Sequence, residues 1–246
     1  MIDLHQPEWR LPEGVHASYT GRRGGVSLPP YHGFNLGDHV GDLPEAVEAN
    51  RAALLNALPG ARAIQWLKQV HGIEVIKAAG TTVDRVPEAD AVMTGEPGIV
   101  CAVMTADCLP VLFCDQKGTQ VAAAHAGWRG LAAGVLLETL NTFEEPSKVS
   151  AYLCPAIGPE AFEVGPEVKA AFAEAPDVCF HKGHHDRWYA DLYELARWQL
   201  MQAGVGEVLG GKHCTFSEPE QYFSYRRDGV TGRQASMIWI ESSPAS

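Results

Sequence analysis

Between residues 89 and 125 the chain passes through four short apolar runs closed by turn residues: Ala89–Met93, Ile99–Met104, Pro110–Cys114 and Val121–His125. A strand with one wet face alternates apolar and polar residues, so unbroken runs of this length belong to strands covered on both sides. The cover must come from elsewhere in the chain. Pro44 to Leu58 has the proline, the apolar spacing at Val47, Leu54 and Leu58, and the Pro59-Gly60 stop of a helix. Leu131 to Leu140 presents Leu131, Val135, Leu136 and Leu140 on one face, the spacing of a packed helix. Asp191, with Glu194 three positions on, caps a further helix that Gly204 closes. Val149–Leu153 and Ala235–Ile240 read as additional strands, and residues 21–42, rich in Gly, Pro and Asn, as a long ordered loop. Strands and helices in this irregular order predict an α/β fold of the α+β-like kind. Its form is a mixed β-sheet covered by helices, a single compact domain over residues 1–246.

With 246 residues, 46% of them hydrophobic, the chain can bury roughly three-quarters of its unfolded surface and needs no disulfide or structural metal to fold. A metal here therefore requires a chemical reason. Thirty acidic against nineteen basic residues leave a net charge of −11, a field that repels nucleic acid and anionic membranes. The N-terminus lacks the basic and apolar regions of a secretory signal, and the run from Gly98 to Cys114 is broken by Thr105, Asp107 and Pro110. Six cysteines without CxxC spacing read as reduced thiols, so the expectation is a cytoplasmic protein. Small-molecule partners and a monomer are expected as well, although the residues themselves do not give the oligomeric state.

Three segments place polar, metal-competent residues at the ends of apolar elements: Gln69-Val70-His71-Gly72, Thr105-Ala106-Asp107-Cys108-Leu109-Pro110 and His125-Ala126-Gly127-Trp128-Arg129-Gly130. Two imidazoles and a thiolate suit Zn²⁺, and three protein ligands leave a fourth position for water, the mark of a catalytic site. Asp107 is placed to steady a ligand through a hydrogen bond. Spacing alone leaves the alternative open, with Cys108 a buried hydrophobe and His71 and His125 ordinary turn histidines. The cluster His181, His184 and His185 reads as a solvated loop, and Cys101 and Cys114 as core. Arg22-Arg23, Arg129, Arg226-Arg227 and Arg233 are candidates for an anion site, since guanidinium grips phosphate with two prongs.

The same segments carry a resemblance that runs through nearly the whole chain. It extends to Arg23-Gly24-Gly25-Val26-Ser27, Phe34-Asn35-Leu36-Gly37, His39-Val40-Gly41-Asp42, Ile157-Gly158-Pro159, Phe162-Glu163-Val164-Gly165, Ser224-Tyr225-Arg226-Arg227 and Thr231-Gly232-Arg233. The sequence resembles the YfiH-type proteins, also called multicopper polyphenol-oxidase or laccase-domain proteins and assigned as purine nucleoside phosphorylases. The resemblance implies a fold related to certain cysteine hydrolases and zinc on His71, Cys108 and His125, with Cys108, His125 and Asp107 catalytic. It implies phosphorolysis of adenosine, inosine and S-methyl-5′-thioadenosine to free base and a (thio)ribose 1-phosphate, with adenosine deaminase activity alongside. Arg129, Arg226 and Asn35 are the expected substrate contacts. Cys154 departs from the family, which usually has Gly there, and puts a second thiol near the expected cleft.

Rival readings keep the same residues. A copper polyphenol oxidase would use the His₂Cys set for copper, but the several His-x-His pairs of multicopper enzymes are absent from the sequence. A metal-free amidase, of the kind proposed for peptidoglycan-precursor editing in relatives, would use Cys108 as nucleophile and His125 as base. A zinc-binding regulator would have no need of an open coordination position.

Overall fold

The computed structural model describes residues 2–242. The chain begins with β1 (Leu4–His5), β2 (Val15–Thr20), α1 (Pro44–Ala57), β3 (Ala63–Gln65), β4 (Val75–Lys77) and β5 (Ala91–Thr94). The centre holds β6 (Ile99–Thr105), β7 (Leu109–Asp115), β8 (Val121–Ala126), α2 (Trp128–Ala133), α3 (Val135–Leu140) and β9 (Val149–Leu153). Then come β10 (Glu163–Val164), α4 (Pro166–Ala171), β11 (Phe180–Lys182), β12 (Trp188–Ala190), α5 (Leu192–Gln202), β13 (Glu207–Gly210), α6 (Tyr225–Asp228) and β14 (Gln234–Ile240).

The four apolar runs are strands, divided between two sheets. One sheet has the order β1-β2-β14-β6-β3, the other β13-β9-β7-β8-β5-β4, and both mix parallel with antiparallel pairs. Cys101, Val103 and Ile238 of the first sheet share a core with Leu112, Cys114, Val121 and Ala123 of the second, so the sheets pack face to face. On the outer side of the first sheet, Val100, Ala102, Met104, Met237 and Trp239 are covered by Leu54 of α1 and by Phe34 and Leu36 of the long loop. On the outer side of the second, Val111, Phe113, Ala122 and Ala124 are covered by α3 and α5. The expected single mixed sheet is thus two stacked ones. Apolar residues on both faces of a strand signal cover on both sides, whether it comes from a helix or a second sheet. A three-stranded sheet, β10-β12-β11, packs at the α5 side.

The helix expected over Leu131–Leu140 is broken at Gly134, whose φ of 101° is left-handed. Its N–H closes α2 by donating to the carbonyls of Gly130 and Leu131 at 3.0 and 3.1 Å. α5 forms as its cap predicts: the Asp191 carboxylate accepts from the N–H groups of Tyr193 and Glu194 at 2.8 and 3.1 Å. Among the described residues no helix is long and apolar enough to cross a membrane.

The segment over residues 21–42 has no helix or strand, and side chains satisfy its backbone. Asn50 of α1, 1% exposed, donates to Ser27 Oγ and to the carbonyls of Gly33 and Asn35, and accepts from the N–H of Val26. Asn35 bonds Gly37, Asp42 and the N–H of Arg233. An unpaired buried polar group costs about 1–3 kcal/mol. Asn50→Ala is therefore expected to lower unfolding stability by about 2–4 kcal/mol in urea titration; a loss under about 1 kcal/mol would show that the loop is held by other means.

Candidate metal centre

The turn Ala106-Asp107-Cys108 carries the chain from β6 in one sheet to β7 in the other, so Cys108 stands at the junction of the two layers. His125 faces Pro110 across the β7–β8 pair, and Gly127 follows as the cap residue of α2. His71 arrives from the loop between β3 and β4. That loop is fastened to β6 by Gln69, whose side chain donates to the carbonyl of Met104 and accepts from its N–H, both at 2.8 Å, as a strand neighbour would.

Asp90 holds both histidines. Fully buried, its carboxylate accepts from the N–H groups of Val70, His71 and Gly72 at 3.2, 2.9 and 2.6 Å and from His125 Nδ1 at 2.8 Å. The three backbone bonds hold His71 at φ 61°, a left-handed conformation uncommon for a non-glycine residue. The bond to Nδ1 leaves His125 Nε2 as the free nitrogen. The ligand atoms of His71, Cys108 and His125 all lie within 4.8 Å of one another, with Cys108 Sγ 3.8 Å from His71 Nε2. Zinc bonds of about 2.3 Å to sulfur and 2.0–2.1 Å to nitrogen put tetrahedral ligands roughly 3.3–3.6 Å apart, so the 3.8 Å Cys108–His71 pair needs only a small closing to take such an ion, and the donor set of one sulfur and two nitrogens suits it. A carboxylate behind a histidine is also the usual support of a metal ligand. Gly127 is required at this point, since a Cβ there would stand 2.7 Å from the His71 ring and 3.0 Å from Cys108 Sγ.

The family model described as multi-copper polyphenol oxidoreductase laccase matches residues 16–241. The chain belongs to this laccase family. A relative named purine nucleoside phosphorylase YfiH, from Escherichia coli (strain K12), is 53% identical over 98% of this chain and 100% of its own length. A purine nucleoside phosphorylase of Pseudomonas aeruginosa is 49% identical over 96% of this chain and 97% of its own length. A crystal structure of a Neisseria meningitidis protein superposes with a TM-score of 0.93 at 47% identity, covering 98% of this chain and 100% of that one.

In this laccase-family site the metal-free electrostatics are those of an ion pair. Burial pushes the Cys108 thiol up, but His125 and His71 more than offset it and hold it down at about 6. Burial likewise pushes His125 down, yet the Cys108 thiolate and the Asp90 carboxylate raise it to about 9. Burial works against the Asp90 carboxylate too, and its bonds from His125, Gly72 and Val70 overcome this to keep it below the usual range.

A cavity of about 250 Å³ opens over the three ligands, lined also by His39, Gln69, Met104, Tyr225 and Arg233. The remaining expected site residues lie elsewhere. The Asp107 carboxylate does not reach a histidine: it accepts from Thr215 Oγ1 and from the N–H of Arg226, both at 2.7 Å, and so anchors α6. The carboxylate role expected of Asp107 falls to Asp90. Asn35 is fully buried, its side chain occupied within the 35–42 loop and at Arg233. Arg226 donates to the carbonyls of Ala161 and Glu163, and Arg129 lies over the Trp128 ring at 4.3 Å; neither lines the cavity. Cys154 is 1% exposed in the core between the sheets and does not line the cavity. His184 and His185 are exposed on a loop, as expected, whereas His181, also exposed, lies in β11. Asp90 was missed, although an aspartate inside the run Ala89–Met93 is itself a signal, since a buried carboxylate needs partners.

A thiolate forms as pH rises through the thiol's pKa. In metal-free protein the alkylation of Cys108, taken as the difference from Cys108→Ser, should therefore rise with a midpoint near pH 6 and level off above it. A midpoint near 9 would refute the ion pair. Asp90→Asn should weaken zinc binding by about 10–100-fold in chelator competition, whereas unchanged affinity would show that Asp90 does not support the ligands.

Proposed function

We propose that the chain is a zinc-dependent, cytoplasmic purine nucleoside phosphorylase. It cleaves adenosine, inosine and S-methyl-5′-thioadenosine with phosphate to free base and a (thio)ribose 1-phosphate, and deaminates adenosine alongside. The observation that carries this reading is the convergence of His71, Cys108 and His125 beneath a cavity that also holds a guanidinium, in a chain whose relatives are named purine nucleoside phosphorylases.

Arg233 is the cation for phosphate. Its Nη1 donates to the carbonyls of Thr231 and Gly232, which fixes the plane of the group, and its backbone N–H is tied to Asn35. A guanidinium held in place before substrate arrives acts by orientation and electrostatics, the main needs of a reaction in which phosphate must stand behind C1′ as the purine leaves. Burial lowers the Arg233 pKa, but guanidinium stays charged at neutral pH regardless. Tyr225, 60% exposed on α6, supplies an aromatic wall against which a purine can lie. Zinc on the three ligands would supply positive charge and Lewis acidity at the cavity floor. Asp90 keeps His125 in the tautomer that presents Nε2. Copper on the same His₂Cys set is the alternative cofactor; among the described residues one such ligand group is formed, which favours a single-ion enzyme over a multicopper oxidase.

Zinc-loaded protein given adenosine and phosphate should release adenine and ribose 1-phosphate, with inosine as a second product, and chelation should abolish both. Retention of the rate after zinc removal would favour a Cys108 hydrolase, and no adenine or inosine above background would refute the reading. Arg233→Gln should raise the KM for phosphate by about tenfold or more, the worth of one charged hydrogen bond, while leaving zinc content unchanged; an unaltered KM would remove Arg233 from the phosphate site.

A further inference from the structure

Phosphorolysis leaves the purine with the electron pair of the broken glycosidic bond, and a neutral purine departs readily only if a proton arrives with that charge. Six of the side chains lining the cavity are titratable: His39, His71, Cys108, His125, Tyr225 and Arg233. Three of these form the metal-ligand group. Of the side-chain types that remain, imidazole alone ordinarily gains and loses its proton near neutral pH. That leaves His39.

The surroundings of His39 are those of a group held out on purpose. Its side chain is 57% exposed, yet the loop beneath it is fastened at every turn. Asn35 ties Gly37 to Asp42, Tyr31 Oη donates to the carbonyl of Val40 at 2.8 Å, and Arg51 of α1 donates from Nε to the carbonyl of Leu36 at 2.9 Å. Gly37 packs so closely on Arg233 that a Cβ there would stand 2.8 Å from its Cγ, which sets the loop beside the proposed phosphate cation. His39 Nδ1 lies 3.4 Å from Asp38 Oδ1, and Asp38 is itself paired with Arg51 Nη2 at 3.4 Å. Nδ1 thereby has a carboxylate partner, and among the described residues no hydrogen bond occupies Nε2. The charged and titratable groups around it are Asp38 on its own loop, Arg51 on α1, and His71, Cys108, His125, Tyr225 and Arg233 across the cavity.

Resting on the phosphorylase reading, we propose that His39 is the catalytic proton donor to the departing purine. The C1′–N9 bond breaks and its electron pair moves into the purine ring. The protonated imidazole delivers a proton to a ring nitrogen, a phosphate oxygen forms the new bond to C1′, and the proton that hydrogen phosphate gives up restores the imidazolium. No other reactant is needed.

The test compares two leaving groups in His39→Gln, using zinc-loaded full-length protein. Inosine requires the proton; 7-methylinosine carries a purine that is already cationic and leaves without one. His39→Gln should lower kcat on inosine about 100-fold or more, while the rate on 7-methylinosine stays within about threefold of wild type and the KM for phosphate is unchanged. Equal loss on both substrates would mean that His39 only shapes the cavity, and no loss on inosine would mean that it takes no part; either overturns the proposal. Wild-type protein that releases no hypoxanthine from inosine would instead refute the phosphorylase reading itself, and His39's role with it.

Discussion

One buried carboxylate organises the centre. Asp90 has no exposed surface and accepts four hydrogen bonds, three from the backbone around His71 and one from the ring of His125. An ionised carboxylate in such a place is costly unless its oxygens are satisfied, and these four donors satisfy them. The same bonds that stabilise the charge set the geometry. His71 is locked in a left-handed conformation, and His125 is turned so that its free nitrogen faces Cys108. The candidate metal ligands come from three distant parts of the chain, and Asp90 holds two of them in place.

The stacked sheets explain why these parts meet. Cys108 lies on the crossing from one sheet to the other, His125 at the end of β8, and Gln69 pins the His71 loop against β6. Side chains at element ends, backed by strands buried on both faces, are held more firmly than side chains on free loops. Asp107 extends the arrangement outward by fastening α6, which carries Tyr225 over the cavity. The long loop fixed by Asn35, Asn50 and Arg51 closes the other side with His39.

The strands of the centre were legible because an apolar run without alternation has one simple explanation, and the caps of α5 because Asp191 and Gly204 each do one thing. Whether a second sheet or a helix covered those strands was not legible, since burial leaves the same mark on a sequence whatever does the burying. The break at Gly134 was hidden because a glycine between two apolar turns reads as a tolerated helix residue. Of the site, residue type pointed to His71, Cys108 and His125, and the family resemblance selected them among other readings. Asp90 was passed over for Asp107, which stands beside a ligand in sequence; what matters is which carboxylate faces an imidazole in space. The arginines misled for a similar reason. Arg129, Arg226 and Arg233 are alike as letters, and only folding shows that the first two are spent on Trp128 and on backbone carbonyls while the third lines the cavity.

The central claim, that His71, Cys108 and His125 share one ion, is tested most directly by zinc-edge X-ray absorption on stoichiometrically loaded protein. A first shell with one sulfur at about 2.3 Å and two imidazole nitrogens at about 2.0–2.1 Å, in which the sulfur is lost in Cys108→Ser, is the predicted result. A shell of nitrogen and oxygen alone in the wild type, or a sulfur that persists when Cys108 is replaced, would contradict it.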